Sequence, residues 1–111
     1  MGPRLPIKKR WISTDKLGRT CVVEVDIEQT SNKSLYPPHG VKSVFKVKRE
    51  KKPGVEDFEA VILIDNHEPF GFHEHPKLPA EHDYRKSIHI SDWQDAWLEF
   101  EKRIEEILNE T

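Results

Sequence analysis

The sequence has a single cysteine, Cys21, and no long apolar run, and each shortage excludes a class of protein. One cysteine cannot form an internal disulfide, which removes the usual cross-link of small secreted domains. No run approaches the roughly 18 apolar residues that a membrane span needs, and the basic N-terminus lacks the apolar core of a signal peptide. We therefore expect a cytoplasmic protein without a membrane partner.

The composition indicates one small, strongly charged domain. Domains usually form in units of about 100–150 residues, and the chain has 111, of which 35% are hydrophobic and 34% charged. Residues 1–20 carry six Lys/Arg against one acid, whereas residues 91–111 carry two against seven. This asymmetry favours contact between the basic segment and a polyanion; the alternative is two solvated faces that partly neutralise each other.

The apolar periodicity predicts a short meander of strands. Residues 20–28, 41–50 and 84–91 alternate with a period of two, as half-buried strands do, while residues 58–64 are almost continuously apolar. That continuity predicts a central strand covered on both faces. The KKPG sequence at 51–54 predicts a type II turn between the second and third strands. Residues 1–19, with two prolines and no sustained period, are interpreted as a basic N-terminal arm, which leaves 20–111 as a single domain.

A C-terminal helix completes the predicted fold. Ser91 and Gln94 match the S-x-x-Q form of a capping box. After it, one apolar stripe recurs at three- and four-residue spacing, formed by Trp93, Ala96, Trp97, Phe100, Ile104, Ile107 and Leu108. The sequence thus predicts the α+β class: a small antiparallel sheet of about four strands with one C-terminal amphipathic helix packed across it.

The segment of residues 65–79 is where we expect the function. It holds three of the six histidines and three of the eight prolines, directly after the most apolar run. Because proline has no amide hydrogen and restricts φ, these residues are predicted to leave the sheet as a stiff, exposed loop that carries imidazoles. Asp65, Asn66 and Glu68 invite interpretation as metal ligands, but Asp-Asn after a strand is also ordinary turn chemistry, which we favour.

Paired histidines in this loop suit either of two chemistries. His73 and His75 are two residues apart, so in extended backbone they point to the same side. As an acid/base pair without a cofactor, they would take a proton from a ribose hydroxyl of RNA and donate one to the leaving oxygen. The alternative is zinc bound at His73 and His75. The predicted catalytic set is His67, His73, His75, Tyr84 and Arg85.

Basic residues in the arm and in the second predicted strand would suit phosphate contacts that position RNA without reading its bases. This set is Lys8, Lys9, Arg10, Lys42, Lys46, Lys48, Arg49, Lys51 and Lys52. The alternative is an edge strand that lysines protect against unwanted pairing.

The order of these features resembles the TumE family of small toxin–antitoxin proteins. The resemblance rests on Asp65-Asn66-His67, Pro69, the His73-x-His75 pair and the final acidic helix, and covers about residues 21–108. It implies a toxin that is checked by a partner antitoxin and acts on RNA or translation, with His67, His73 and His75 as site residues. The alternative hypothesis is a non-catalytic binding module for a protein or nucleic-acid partner; the oligomeric state is left open.

Overall fold

An antiparallel sheet with one helix across one face makes up the computed structural model of the chain, which describes residues 5–30, 40–66, 72–75, 78, 86–88 and 92–109. Within these residues the sheet has six strands, each paired with the next along the chain, so the sheet order is the sequence order. The predicted α+β class is confirmed. The elements are β1 (Ile7–Thr14), β2 (Thr20–Gln29), β3 (Val41–Glu50), β4 (Phe58–Asp65), β5 (His73–Glu74), β6 (Lys86–Ser87) and α1 (Trp93–Leu108).

β2 and β3 follow the alternation of their sequences. The inward side chains of both strands are buried: Cys21, Val23, Val25, Ile27, Ser43, Phe45 and Val47. Phe45 contacts α1 directly, with its ring 5.3 Å from that of Phe100 and 6.1 Å from that of Trp97. The hairpin from β3 to β4 is confirmed, and Gly54 takes the positive φ of 78° that its turn requires.

α1 packs its apolar stripe on the sheet as the spacing predicts. Trp93, Ala96 and Phe100 are buried, and the remaining members of the stripe pack partly buried against them. The helix begins one residue later than the Ser91 capping box predicts, because the Asp92 carboxylate caps it by accepting from the Asp95 amide at 2.9 Å. A carboxylate also complements the positive end of the helix dipole. No described helix is long and apolar enough to cross a membrane.

The first strand lies within the predicted arm. β1 pairs with β2 along its whole length, from Ile7 opposite Ile27 to Thr14 opposite Thr20. The sequence pattern missed this strand because residues 8–12 are all exposed, so no alternation of apolar side chains marks it. Ile7 is in the buried core, and the exposed residues that follow it are held by backbone pairing with β2. The boundary at residue 19 is therefore corrected, since the sheet already starts at Ile7.

β4 is half-buried and alternating, not covered on both faces. Ile62 and Ile64 are buried beneath α1, while Leu63 between them is only partly buried. The register with β3 shifts at Val47, which leaves Val61 as an extra residue on β4. In the described part of the chain one helix covers one face of the sheet, so an almost continuous apolar sequence does not become doubly buried.

A buried carboxylate holds the turn between β1 and β2. Asp15 Oδ1 accepts from the amides of Leu17 at 3.0 Å and Arg19 at 2.9 Å, and Oδ2 lies 2.8 Å from Arg19 Nε. Arg49 Nη1 lies 3.8 Å from the same carboxylate. Burial opposes ionisation of Asp15, but the hydrogen bonds and the charge of Arg19 outweigh it and lower its pKa.

The same corner of the molecule contacts the end of the helix. The Lys16 amide donates to the Leu108 carbonyl at 3.1 Å, which satisfies one of the last carbonyls of α1. Glu50, the last residue of β3, accepts from the Thr20 amide, and this hydrogen bond lowers the pKa of Glu50. Two carboxylates thus stabilise this corner in their ionised form.

Candidate metal centre

β5 is a two-residue strand that lies along the end of β4. Its backbone pairs His73 with Asp65, and the amide that follows it, that of His75, donates to the Leu63 carbonyl at 3.0 Å. Side chains alternate along extended backbone. His73 and His75 therefore lie on the face of the sheet away from α1, and Glu74 lies on the helix side.

Both histidines are buried, which corrects the exposed loop that the prolines predict. His73 is 2% exposed and His75 is 7% exposed, and Phe72 and Glu74 are buried as well. Prolines occupy positions 69 and 76, but residues 70–75 contain none, so each backbone amide of this stretch can serve as a donor. The proline content of the whole segment was therefore a poor guide to residues 72–75.

Asp65 brings the two imidazoles together. His73 Nε2 lies 3.0 Å from Asp65 Oδ1, and His75 Nε2 lies 4.0 Å from Asp65 Oδ2. The two imidazole rings are 5.3 Å apart, and one ligand atom from each of the three residues lies within 4.8 Å of the other two. Two imidazoles and one carboxylate thus converge on one small volume.

This set of atoms fits a transition-metal ion. Zinc binds nitrogen and oxygen at about 2.0–2.2 Å, which places tetrahedral ligand atoms about 3.4 Å apart. The observed distances from Asp65 oxygens, 3.0 Å to His73 Nε2 and 4.0 Å to His75 Nε2, lie on either side of that spacing. The donor types, imidazole nitrogen and carboxylate oxygen, are those that zinc and neighbouring divalent metals accept.

Asn66, which the sequence analysis interpreted together with Asp65 as a turn residue, directly follows β4. Its buried side chain accepts from the Ser43 amide at 2.9 Å and donates to the Val41 carbonyl at 2.7 Å, which ties the end of β4 to the start of β3. Asp65 is still part of β4 and faces the histidines. The signal for Asp65 in the sequence was its position at the end of an apolar strand, eight residues before His73.

Glu74 and Arg103, which the sequence analysis missed, hold β5 against α1. The Arg103 guanidinium donates to both oxygens of the buried Glu74 carboxylate at 2.6–3.0 Å and to Glu106 at 3.0 Å. The hydrogen bonds that Arg103 donates to Glu74 raise the pKa of Arg103 above its usual value. Because Glu74 stands between the two histidines, this ion pair keeps the backbone that carries both imidazoles in its register.

A cleft of about 150 Å³ opens next to the site. His75 contributes to its wall together with Leu63, Leu78, Arg103 and Ile107. The cleft gives one of the two buried imidazoles a route to a small molecule or to one group of a larger substrate.

Five of the predicted phosphate-binding residues share the face of Asp65 and His73. On β3, Phe45 and Val47 point to the helix, so the residues between them point away from it. The cross-strand register with β2 extends this face to β1. Its cations are Lys8, Arg10, Lys42, Lys46 and Lys48.

The other four predicted cations do not share this face. Lys9 is on the helix side, with Nζ 5.9 Å from the ring of Trp97. Arg49 is buried beside Asp15. Lys51 and Lys52 are in the exposed hairpin turn, where Lys51 Nζ lies 3.5 Å from an Asp57 oxygen.

Acidic residues of β2 separate the five cations on the face of Asp65 and His73 into two groups. Its outward residues Glu24, Asp26 and Glu28 lie between the cations of β1 and those of β3. Glu24 lies 3.8 Å from Arg10 and 3.9 Å from Lys48. The lysines of β3 have acids on one side and, on the other, the strand that carries Asp65.

Three of the predicted catalytic residues, His67, Tyr84 and Arg85, lie outside the described residues. Of the predicted set, the structure therefore brings together His73 and His75, and it adds Asp65. The chain matches no protein-family model, no curated protein and no solved structure. The resemblance to the TumE family thus stays a prediction from the sequence pattern.

Proposed function

We propose that this protein binds one divalent transition-metal ion through Asp65, His73 and His75 and uses it to hydrolyse phosphodiester bonds in RNA. The observation that carries the proposal is the convergence of three suitable ligand atoms within 4.8 Å of one another. Three protein ligands leave a coordination position for water or substrate, as in catalytic zinc sites. The ion's contribution would be to activate water near neutral pH and to polarise a phosphoryl oxygen.

The same geometry favours a metal over an acid/base pair of histidines. In phosphoryl transfer the attacking and leaving oxygens lie roughly in line on opposite sides of phosphorus, so a base and an acid must also stand on opposite sides. Here both Nε2 atoms approach one carboxylate, at 3.0 and 4.0 Å. An ion shared by the three groups accounts for this convergence, whereas the acid/base pair requires one imidazole to move away.

Lysines beside the site support a phosphate substrate. Asp65 is paired with Val44 of β3, and Lys42 and Lys46 flank Val44 on the same face. Diagonal neighbours on adjacent strands are about 7–8 Å apart, which a lysine side chain can span. In the proposed reaction the water oxygen bonds to phosphorus, one ester P–O bond breaks, and a proton passes to the leaving oxygen. The two lysines would balance the charge on the phosphate.

The cellular role is part of the same proposal. Hydrolysis of cellular RNA is a direct cause of growth arrest, so the chemistry agrees with the toxin role that the sequence pattern predicts. The partner antitoxin stays a prediction.

Metal titration of the purified protein tests the centre. We expect calorimetry with zinc to show one ion per chain, and we expect Asp65→Asn, His73→Gln and His75→Gln each to abolish this binding. Asp57→Asn is the matched control, because Asp57 is in the hairpin turn at the opposite end of β4. If the wild-type protein binds zinc and all three site variants bind it equally, the proposed centre is refuted.

Cleavage of a labelled single-stranded RNA then tests the reaction. We expect cleavage that a chelator stops, that added metal restores and that the three site variants lack. On induced expression, wild type but not His73→Ala/His75→Ala should arrest growth and fragment total RNA. Cleavage that persists in chelator yet requires both histidines would assign the acid/base mechanism instead. Metal binding without cleavage would keep the centre and refute the hydrolase.

A further inference from the structure

β1 forms the edge of the sheet farthest in strand order from the proposed metal centre. Among the described residues it pairs only with β2, so its outer row of backbone amides and carbonyls faces no other strand. Residues 8–12 are all exposed. They include two large apolar side chains, Trp11 at 36% and Ile12 at 69% exposure. An exposed edge of this length is a template for an added strand.

Charge alternates from strand to strand on the face away from α1. β1 contributes Lys8 and Arg10, and β2 places acids directly opposite them, Asp26 at Lys8 and Glu24 at Arg10. Lysines follow on β3, where Lys46 lies opposite Glu24. Opposite charges on directly facing residues stabilise strand pairing. The next strand outward from β1 that continues this order is acidic.

We propose that the outer edge of β1 docks an extended, acidic segment of a partner protein, which pairs with β1 as an additional strand. The backbone of that segment would bond to the outer amides and carbonyls of β1. Acidic side chains at alternate positions would face Lys8 and Arg10, as Asp26 and Glu24 do on the inner side. Apolar side chains between them would cover Trp11. This proposal is independent of the metal centre.

Two other occupants fit the edge less well. A second copy paired through β1 would bring the run of Lys8, Lys9 and Arg10 close to the same run of its partner, with like charges repelling each other. A nucleic acid would meet the cations but has no peptide backbone to match the ladder of β1, and the acids of β2 lie directly behind those cations. An acidic peptide satisfies both the backbone and the charges.

A synthetic peptide provides the probe. The sequence of β2, TCVVEVDIEQ, is an acidic strand that pairs with β1 in the structure, so a fluorescent copy with Cys21→Ser is the test ligand. The control peptide carries Glu24→Gln, Asp26→Asn and Glu28→Gln in addition. By fluorescence anisotropy we expect the acidic peptide to bind at least fivefold more tightly than the control. Binding should weaken as salt rises from about 0.05 to 0.5 M, because screening shortens the range of these charges.

Protein variants locate the interaction. We expect Lys8→Gln/Arg10→Gln to weaken binding of the acidic peptide at least fivefold, while Lys51→Gln/Lys52→Gln, which removes two cations from the hairpin turn, changes it less than twofold. Hydrogen exchange should show new protection of β1 amides when the peptide binds. Circular dichroism confirms that the variants are folded.

Four outcomes would overturn the proposal. The first is no binding of the acidic peptide at millimolar concentration, and the second is equal binding of both peptides. The third is a dimer in sedimentation whose β1 amides are protected without peptide, which would assign the edge to a second copy. The fourth is displacement of the peptide by a single-stranded oligonucleotide that itself requires Lys8 and Arg10, which would assign the edge to nucleic acid.

Discussion

The first four strands and the last two differ in what holds them. β1 to β4 are eight to ten residues long and pair along most of their length, whereas β5 and β6 have two residues each. A long ladder shares its stability among many hydrogen bonds and buried side chains. Among the described residues, β5 pairs with β4 and with β6 over two residues each, and Glu74 with Arg103 and His73 with Asp65 add side-chain contacts. The residues proposed to act therefore lie where single side chains decide the backbone position.

The largest expected effect is on the free energy of unfolding, when the hydrophobic core that both regions share loses a side chain. Phe100 is fully buried against Phe45, so Phe100→Ala should lower the free energy of unfolding by about 3–5 kcal/mol. Leu98→Ala, on the same helix but 64% exposed, should change it by less than about 0.5 kcal/mol. Urea denaturation measures both. Equal effects of the two variants would contradict the packing of α1 described above.

Metal binding should stabilise the protein next most strongly. Zinc at about a hundred times its dissociation constant would add about 2.7 kcal/mol to the free energy of unfolding if it binds only the folded chain. Thermal denaturation should show this rise in wild type and in Asp57→Asn but not in Asp65→Asn. Hydrogen exchange should place the added protection around β5 before β2 and β3. A rise in Asp65→Asn equal to that in wild type would refute the assigned ligand.

Loss of the Arg103 guanidinium should affect β5 more than the long strands β1 to β4. Arg103→Gln leaves the Glu74 carboxylate buried without its charged partner, at a cost of about 1–3 kcal/mol. Because the register of β5 then weakens, we expect zinc affinity to fall by about tenfold, which is typical when a group that orients metal ligands is lost. Calorimetry and urea denaturation measure the two effects.

Lys102→Gln, an exposed neighbour on the same helix, is the control and should change neither quantity. Unchanged zinc affinity in Arg103→Gln, with binding intact in wild type, would show that the ion pair supports the fold but does not position the ligands.

Low pH should lower the free energy of unfolding by a smaller amount. The groups responsible are the two carboxylates at the corner where β1, β2 and β3 meet the end of α1. The pKa values of Asp15 and Glu50 are lowered from ordinary values of 3.8 and 4.5. Each carboxylate therefore stabilises the fold fully above its ordinary pKa, and this contribution is lost as the pH falls through the lower folded pKa. The free energy of unfolding should fall below about pH 4.5, and less steeply in Asp15→Asn. An equal slope in both proteins would contradict the prediction.

Periodicity in the sequence correctly predicted the helix and the long strands that lie inside the sheet. Cys21, Val23, Val25 and Ile27 alternate because one face of β2 meets the core, and burial of that face requires apolar residues at every second position. β1 escaped notice for the opposite reason. As an edge strand whose central residues are exposed on both faces, it needs no such pattern.

The candidate site was predicted only in part. His73 and His75 stood out because two residues of one type at a spacing of two share a face in extended backbone. Asp65 joins them through strand pairing across an eight-residue separation, and Arg103 reaches Glu74 from an element 29 residues farther along the chain. Neither contact leaves a local pattern, since any carboxylate or guanidinium at the right place in space would serve.

The sequence by itself determined the α+β class, the inward faces of β2 and β3, and the apolar stripe of α1, because these follow from the local period of the backbone. Only the tertiary structure decided that β1 belongs to the sheet, that residues 72–75 are buried, and that Asp65 faces both histidines. Each of these depends on which strand lies next to which, and that arrangement is settled by packing and hydrogen bonding between residues distant in the chain.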